Sequence, residues 1–548
     1  MRWRKPCSTG KRWIARRSTP SCARRLWRRQ APHPRPRRRP WWSARCRSNS
    51  YQMEQCEAAM DHTLRISKRT CINARSGAAA AVFRAGLLAP CLMLAACGPW
   101  NSRMQDGPLV PPAQPVSIPE RWSRDAPPAN AAALADWWAQ FGDPRLTLLI
   151  AQAQRNSTSV AIAEARLKQA RALRDLAGAG LATYVSASVS AERVREQNSA
   201  PRSSYHAGLD ASWEPDLYGY RRQGLSASEA TVRAEALTLE DARVSLAAEV
   251  ALAYIELRGV QQRQALARAY HVRQQLLLDM AGRRTGSVGA EIDRQRARAA
   301  LALAAAALPG LDASRAQLEH SLALLCGDVP DALTLDLALP SPSRIPEAPD
   351  ELALSLPADT LRQRPDVRAA AARVSAVIAR VGQADAARKP VVRLEGTIGL
   401  RGLGIGGAGS SVLRGLFGAI SGTAFDGGSG QARVAAEQGA LLENYALLRA
   451  SVLMALREVE DALAGLAADR ARRLALQEAV AAAAQAATLA MRAYQDDALE
   501  FQTVLDTQRT LLASEDELVQ ATVAQGTSHV RLYKALGGGW QGSAAPLP

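Results

Sequence analysis

Two stretches of the chain, 205–213 and 392–398, alternate apolar and polar residues. Successive side chains of a strand point to opposite faces, so a period of two predicts β-strands. In the first stretch Tyr205, Leu209 and Trp213 lie on one face, and His206 and Asp210 lie on the other. Each half of the chain contains two such short segments, which makes four predicted strands with one apolar and one polar face.

Much longer segments, 217–283 and 429–495, are rich in Ala, Arg, Glu, Gln and Leu, and contain no Pro and few Gly. This composition favours helix. Roughly 70 residues at about 1.5 Å each give a helix on the order of 100 Å long. Such a helix is too long to be the core helix of a compact domain, and its small Ala residues allow other helices to pack closely. The pattern therefore predicts a coiled coil. A helix at 144–180 or 358–388 precedes each strand pair, and a return helix ends each half.

The two halves correspond to each other and indicate an internal repeat. WEPDLYG (213–219) matches TAFDGGS (423–429), each opening a long helix, and Asp293 of DRQRA matches Asp506 of DTQRT. The Pro- and Ser-rich sequence LPSPSRIPEAPD separates the halves, as linkers do. The predicted divisions are an N-terminal linker at 97–135, repeat 1 at 136–338, a linker at 339–356, repeat 2 at 357–540 and a tail at 541–548.

Four strands cannot close a barrel, and an open sheet edge is not tolerated in lipid. Outer-membrane barrels begin at about eight strands. After position 97 we expect no apolar segment of transmembrane length, because the Ala-rich stretch 479–491 is too short and too weakly apolar. If the chain spans a membrane, we therefore expect several copies to pool their strands.

A short apolar run, 85–96, follows a basic region and ends in LAAC, the last residue being Cys97. Its length is that of a secretory signal rather than of a membrane span. We interpret 60–96 as a lipoprotein signal peptide and Cys97 as the lipidated first residue of the mature protein. Gly98 favours sorting to the outer membrane. Residues 1–59 admit three interpretations: a basic arm, a disordered leader, or an upstream extension of a protein that starts at Met60.

The net charge of +18 comes from this leader. The first 96 residues contain 22 Lys and Arg against three acidic residues, out of totals of 69 and 51. The chain from Cys97 onward is therefore close to neutral, and a nucleic-acid partner is not expected.

Motifs for catalysis, metal binding or cofactors are not apparent. The His residues are scattered, and the chain after the leader keeps only Cys97 and Cys326, so no metal-ligand spacing or disulfide framework results. Residues 402–407 match GxGxxG, but two predicted strands flank them instead of a strand and a helix, so we interpret them as a hairpin loop. We predict no cofactor and no enzymatic activity.

Several motifs together resemble the TolC-like outer-membrane efflux factors, in the NodT-type lipoprotein branch. They cover about 97–540 and are DWWAQFGDPRL (136–146), WEPDLYG (213–219), LRQRPDV (361–367), FDGG (425–428), REVEDAL (457–463), VLDTQR (504–509) and LYKALGGGW (532–540). The resemblance implies a mainly α fold with a small β part. It comprises a duplicated helix-strand-strand-helix unit, a long coiled-coil α-barrel, and four strands contributed to a trimeric outer-membrane β-barrel.

The same resemblance implies a passive channel that conducts drugs or other solutes to the exterior. Its implied partners are two further copies of the chain, outer-membrane lipid, a periplasmic adaptor, and an inner-membrane pump of the resistance-nodulation-division type. The alternative is a periplasmic coiled-coil lipoprotein, structural or adaptor-like, that forms no pore. An adaptor would carry small β-domains with lipoyl-like hairpins, and none is recognisable. The sequence does not name the cargo.

The resemblance also assigns site residues. Asp506, and its repeat partner Asp293, would form acidic rings that narrow the periplasmic mouth, although most such residues are simply solvated helix positions. Gly286, Ser287, Asp497 and Ala498 would form the two helix-turn tips that dock an adaptor, although Gly and Asp are ordinary turn residues. Asp497 stands where relatives usually have Gly, and Asp tolerates the left-handed conformation better than most residues.

Overall fold

The computed structural model describes residues 118–123, 134–195, 201–283, 288–330, 344–347, 357–403 and 411–540. The chain divides into two units, Met1–Gln105 and Asp106–Pro548. The first unit, with the predicted signal peptide and Cys97, lies outside the described residues, as do Gly286 and Ser287.

The second unit contains the same order of elements twice. The first half has α1 (Pro144–Asn156), α2 (Thr158–Ala179), β1 (Tyr184–Val194), β2 (Arg202–Trp213), α3 (Tyr220–Arg283) and α4 (Val288–Leu325). The second half has α5 (Pro357–Gln363), α6 (Pro365–Ala386), β3 (Val391–Leu403), β4 (Ser411–Ser421), α7 (Ser429–Gln495) and α8 (Phe501–Ala535). The predicted long helices are confirmed: α3 has 64 residues and α7 has 67.

The first helix of each half is interrupted, and the prediction of one continuous helix is wrong in both. Ser157 has an extended backbone between α1 and α2, and its side chain accepts a hydrogen bond from the Ser159 amide, which caps α2. In the second half Arg364 is extended because Pro365 follows it and occupies the first turn of α6.

The four strands form one antiparallel sheet in the order β1-β2-β3-β4. The central pairing, β2 with β3, joins the two halves of the chain. Below the sheet, α2 packs on α3, α3 on α6, and α6 on α7. Sheet and helices therefore follow the same order across the two halves, and β1 and β4 are the edge strands.

The main hydrophobic core lies around the middle of the long helices, and we call it the mid-helix core. It surrounds Trp137, which stacks on Tyr533 with a centroid distance of 5.3 Å and contacts Trp138 and Phe141 edge-on. Leu146, Tyr254 and Leu532 are fully buried in it. A much smaller cluster lies at the far end of the helices.

One helix, Ser429–Gln495, is long and apolar enough to cross a membrane by length and composition alone. Its most apolar 18-residue window has a mean hydropathy of 1.2 and is 11% buried. We expected no segment after position 97 to be long and apolar enough to cross a membrane. That expectation is wrong for this helix, because its many Ala residues raise its mean hydropathy. A single helix of this kind also occurs in soluble proteins. Ala483 and Ala487 of this helix pack with Leu511 of α8.

Candidate functional site

The sheet has two chemically different faces, as the alternation predicted. On one face Asp210 is flanked by Ser186 and Thr397, its partners on the neighbouring strands, and Glu395 pairs with Ser212. On the other face Val189 and Leu416 are 86% and 87% exposed. The large apolar residues of this face are Val185, Val189, Tyr205, Leu209, Trp213, Leu394, Ile398, Leu400, Val412, Leu416 and Ile420, and Arg414, the partner of Ile398, lies on it too. Such a face suits lipid, whereas the polar face suits water.

The turn between α7 and α8 is a Schellman motif. Asp497 has a φ of 57° and is the only non-glycine residue with positive φ in the part of the chain that the structure describes. Its amide donates to the Tyr494 carbonyl at 3.2 Å, and the Ala498 amide donates to the Ala493 carbonyl at 2.8 Å. The predicted left-handed conformation of Asp497 is confirmed, and an acidic residue stands at the outermost point of the turn.

A small cluster of nine residues, the tip cluster, holds the ends of both helix hairpins together. It contains Leu277, Ala281, Ala297, Ala300, Ala490, Tyr494, Phe501, Val504 and Leu505. The rings of Tyr494 and Phe501 lie 5.3 Å apart across the α7–α8 turn. Because α3, α4, α7 and α8 all contribute, the α3–α4 end lies at the same end of the molecule as Asp497 and Ala498.

The two candidate gate residues have matching surroundings. Asp506 is exposed on the second turn of α8, accepts from Gln502 Nε2 at 3.0 Å, and has Arg509 Nη1 at 3.5 Å. Asp293 is more buried on the second turn of α4 and has Arg296 Nη1 at 3.5 Å. The repeat thus conserves an Asp followed three residues later by an Arg, and both pairs lie beside the tip cluster.

Ion pairs connect the two hairpins above the tip. The Arg263 guanidinium on α3 binds the Asp516 carboxylate on α8 through two contacts of 2.6 and 3.2 Å. Arg273 on α3 lies 3.4 Å from Glu515 on α8. By contrast, Arg472 and Glu517 pair within the second hairpin. The sequence could not reveal the inter-hairpin pairs, because their partners stand more than 240 residues apart.

Two glutamine side chains are buried near these ion pairs. Gln274 on α3 is fully buried, and neither of its amide atoms has a hydrogen-bond partner. Gln508 on α8 is also buried, and its Oε1 has no partner. A buried polar group without a partner costs about 1–3 kcal/mol. The packing between α3 and α8 is therefore weaker here than in an apolar core.

At the border of the mid-helix core, Arg364 ties three helices together. It is buried, donates to both oxygens of Asp366 and to Glu458 Oε2 at 2.8 Å, and donates to the Ala535 carbonyl at 2.9 Å. Although burial lowers the pKa of Arg364, the hydrogen bonds and charges of Asp366 and Glu458 raise it overall. LRQRPDV and REVEDAL, which the sequence analysis singled out without a role, meet in this network.

A second buried network joins the start of α1 to α3. Asp143 caps α1 by accepting from the Arg145 amide at 2.9 Å, and it accepts from the Tyr254 hydroxyl at 2.8 Å. Arg258 donates to the same hydroxyl and lies over the Tyr254 ring. Burial raises the pKa of Tyr254 to about 12. The phenol therefore stays protonated and fixes the helix start against α3.

Among the described residues, no cluster of three or more His, Cys, Asp or Glu side chains could hold a metal ion. Cys326 is buried, and burial raises the pKa of its thiol to about 11, so it remains a packed thiol.

The model of the family described as outer membrane efflux protein matches residues 149–328 and 356–538. These two segments cover most of both halves. The chain belongs to the outer membrane efflux protein family. The family assignment explains the strands with one exposed apolar face and the long helices together: the protein is an outer-membrane channel component of an efflux system.

Curated relatives agree with this assignment. The chain is 32% identical over 460 residues to the pyoverdine export outer membrane protein OpmQ of Pseudomonas putida, covering 79% of this chain and 94% of that protein. It is 27% identical over 450 residues to nodulation protein T of Rhizobium leguminosarum bv. viciae, covering 80% and 90%. The predicted relationship to the NodT-type efflux factors and the outer-membrane location are confirmed.

Solved structures show the same fold. The outer-membrane channel OprN is 33% identical, with a TM-score of 0.72 over 79% of this chain and 99% of that one. The open state of the Neisseria gonorrhoeae MtrE outer membrane channel is 25% identical, with a TM-score of 0.72 over 78% and 97%. The predicted fold, helical barrel plus small sheet, is confirmed, and the pore-free coiled-coil alternative is set aside.

Proposed function

We propose that three copies of this efflux protein pool their strands into one twelve-stranded outer-membrane barrel above a shared helical conduit. The observation that carries this proposal is a sheet with an exposed apolar face and two edge strands. A barrel of four strands cannot close, and an open edge in lipid is costly. The helices α2 and α7 flank the same edges, so neighbouring copies would pair along both the sheet and the helices.

The N-terminal linker supports a lipid anchor at Cys97. Trp122 is buried in the mid-helix core, and the Ser123 amide donates to Glu460 Oε1 on α7 at 3.0 Å. The 21 residues from Cys97 to Ile118 can span at most about 70 Å. From Glu460 to the strand end of α7 is 31 residues, or about 46 Å of helix. The linker is therefore long enough for a lipidated Cys97 to reach the membrane.

At the other end, the tips carry the proposed periplasmic contacts. Asp497 and Ala498, with Gly286 and Ser287, would dock a periplasmic adaptor, which in turn connects to an inner-membrane pump of the resistance-nodulation-division type. Asp506 and Asp293 would face the narrowed mouth as rings of carboxylates. The Arg three residues after each Asp would partly neutralise its charge. Because relatives are named both for pyoverdine export and for toluene efflux, the conduit is not expected to define one cargo.

Intact and native mass of the protein purified from outer membranes, beside a Cys97→Ser variant, tests the assembly and the anchor together. The expected result is a trimer of chains that begin at a lipid-modified Cys97, and loss of the lipid in the variant. A monomer, or a dimer with an eight-stranded barrel, would contradict the assembly. An unmodified chain that begins before Cys97 would contradict the anchor.

A further inference from the structure

The polar face of the sheet contains a pocket that neither the family assignment nor the sequence analysis explains. Its volume is about 550 Å³, which is in the range of sites for drug-sized molecules. The residues of interest in its lining are Tyr184, His206, Asp210, Glu395, Thr397 and Phe417. All six occupy polar-face positions of the register and belong to one chain.

Two glycines at the centre of the sheet make room for this pocket. Gly208 and Gly399 pair directly on β2 and β3. The His206 imidazole lies over both: a Cβ at Gly208 would stand 3.1 Å from its Nε2, and a Cβ at Gly399 would stand 3.1 Å from its Cε1. Side chains at these positions would displace the ring. The imidazole therefore leans along the strand toward Asp210 and forms one wall of the pocket.

The carboxylates give the pocket a negative charge. Asp210 accepts a hydrogen bond from Ser188 Oγ at 3.2 Å, and the described residues provide it with no ion pair. Glu395 lies 3.7 Å from Arg393, but that guanidinium is held more closely by Glu214 at 2.6 Å. Arg401 pairs with His206 on the neighbouring strand and lies outside the pocket lining.

Aromatic rings stand on both sides of the carboxylates. Phe417 on β4 pairs directly with Glu395, and Tyr184 on β1 pairs with Ser212 next to Asp210 along the polar face. Both rings are exposed to the pocket side of the sheet and to solvent. Carboxylates with exposed aromatic faces favour organic cations, because both the charge and the ring quadrupole attract them.

We propose that this pocket binds organic cations on the wall of the conduit and so favours cationic over anionic solutes in transit. The transport role depends on the proposed function, since the polar face lines the conduit only in the assembled barrel. Binding itself does not depend on it, because one chain supplies every residue of the pocket.

The test uses two probes of matched shape and opposite charge, tetraphenylphosphonium and tetraphenylborate. Their binding to the full-length protein in lipid nanodiscs is measured by calorimetry. After subtraction of the binding to empty nanodiscs, which take up the lipophilic anion more than the cation, we expect the cation to bind the protein better than the anion. Asp210→Asn should weaken cation binding about fivefold, the upper size of an ionic contact open to solvent. Phe417→Leu should weaken it about threefold through the lost ring.

Glu192→Gln is the matched control, because Glu192 also lies on the polar face of β1 but not in the pocket lining. This variant should leave the affinity unchanged. Unchanged affinity in Asp210→Asn, or an equal loss in Glu192→Gln, would overturn the proposal. Native mass of the same samples reports trimer formation separately, so failure of the assembly and failure of the pocket are distinguishable.

Discussion

The mid-helix core and the tip differ in how they are held. The mid-helix core has stacked aromatic rings, fully buried Leu and Tyr side chains, and an Arg364 guanidinium that makes four hydrogen bonds, and Trp137 Nε1 has no hydrogen-bond partner among the described residues. The tip has a cluster of only nine residues, four of them Ala, and the unpartnered buried amide atoms of Gln274 and Gln508 lie on the same helices as this cluster. The same pair of long helices therefore passes from a tightly packed region into a weakly packed one. Opening is expected at the tip, while the mid-helix core stays fixed.

The largest expected effect comes from the Arg364 network. Arg364→Ala would leave Asp366, Glu458 and the Ala535 carbonyl without their shared donor. Breaking a buried ion pair costs about 3–5 kcal/mol, and we expect about 3 kcal/mol because both carboxylates still reach solvent. The free energy of unfolding, from thermal melts followed by circular dichroism, measures this. Arg457→Ala, an exposed neighbour, is the control. Equal stability of the two variants would contradict a rigid mid-helix core.

At the tip, removing a polar group should stabilise the protein. Gln274→Met keeps the volume but removes two buried atoms that have no partner, so we expect a gain of about 1–3 kcal/mol. If this packing narrows the mouth, as the proposed gate requires, single-channel conductance in planar bilayers should fall. Gln275→Met, at the exposed neighbouring position, should change neither the stability nor the conductance. A destabilised Gln274→Met variant would show that the amide is satisfied in the assembled channel.

The C-terminal ends of α7 and α8 carry equivalent turns with different residues. Asp497 follows α7 with a φ of 57°, and Gly537 follows α8 with a φ of 75°. Asp497→Gly should stabilise the protein by up to about 1 kcal/mol, because Gly has no penalty in this conformation. Gly537→Asp should destabilise it by at least as much, since a Cβ there would also stand 3.2 Å from Arg364 Cγ. Melting temperatures of the two variants that shift in the same direction would contradict this.

The smallest effect concerns pH. Burial raises the pKa of Asp241. The negative charges of Asp366 and Glu458 raise it further, whereas the positive charges of Lys534 and Arg364 lower it, and the net shift is upward. A carboxyl with a raised pKa favours the folded state at low pH and loses that contribution as pH rises through the folded value. Asp241→Asn should therefore flatten the fall in stability that begins above the ordinary Asp pKa of 3.8. Melting temperatures across this range provide the test, and parallel profiles would contradict it.

Periodicity in the sequence was enough to predict the strands, their two faces and the long helices, because these follow from local patterns. The left-handed turn at Asp497 was predictable from the resemblance, since relatives usually have Gly there and Asp tolerates this conformation better than most residues. The inter-hairpin pair of Arg263 and Asp516 was not, since nothing local relates residues 253 positions apart. The helix breaks at Ser157 and Arg364 do have local sequence signals, namely a capping Ser and a following Pro. A prediction based only on the spacing of apolar residues misses them. The unpartnered amide of Gln274 is visible only once the helices are packed.

Single-channel conductance of an Arg263→Ala, Arg273→Ala double variant tests most directly whether the tip opens against a fixed mid-helix core. These residues tie α3 to α8 between hairpins, whereas Arg472 ties α7 to α8 within one hairpin. Each exposed pair contributes up to about 1 kcal/mol. We predict roughly twofold or greater conductance in the double variant and unchanged conductance in the Arg472→Ala control. The melting temperature should fall only slightly in either, because each pair contributes little. Equal conductance of all three proteins would contradict this prediction.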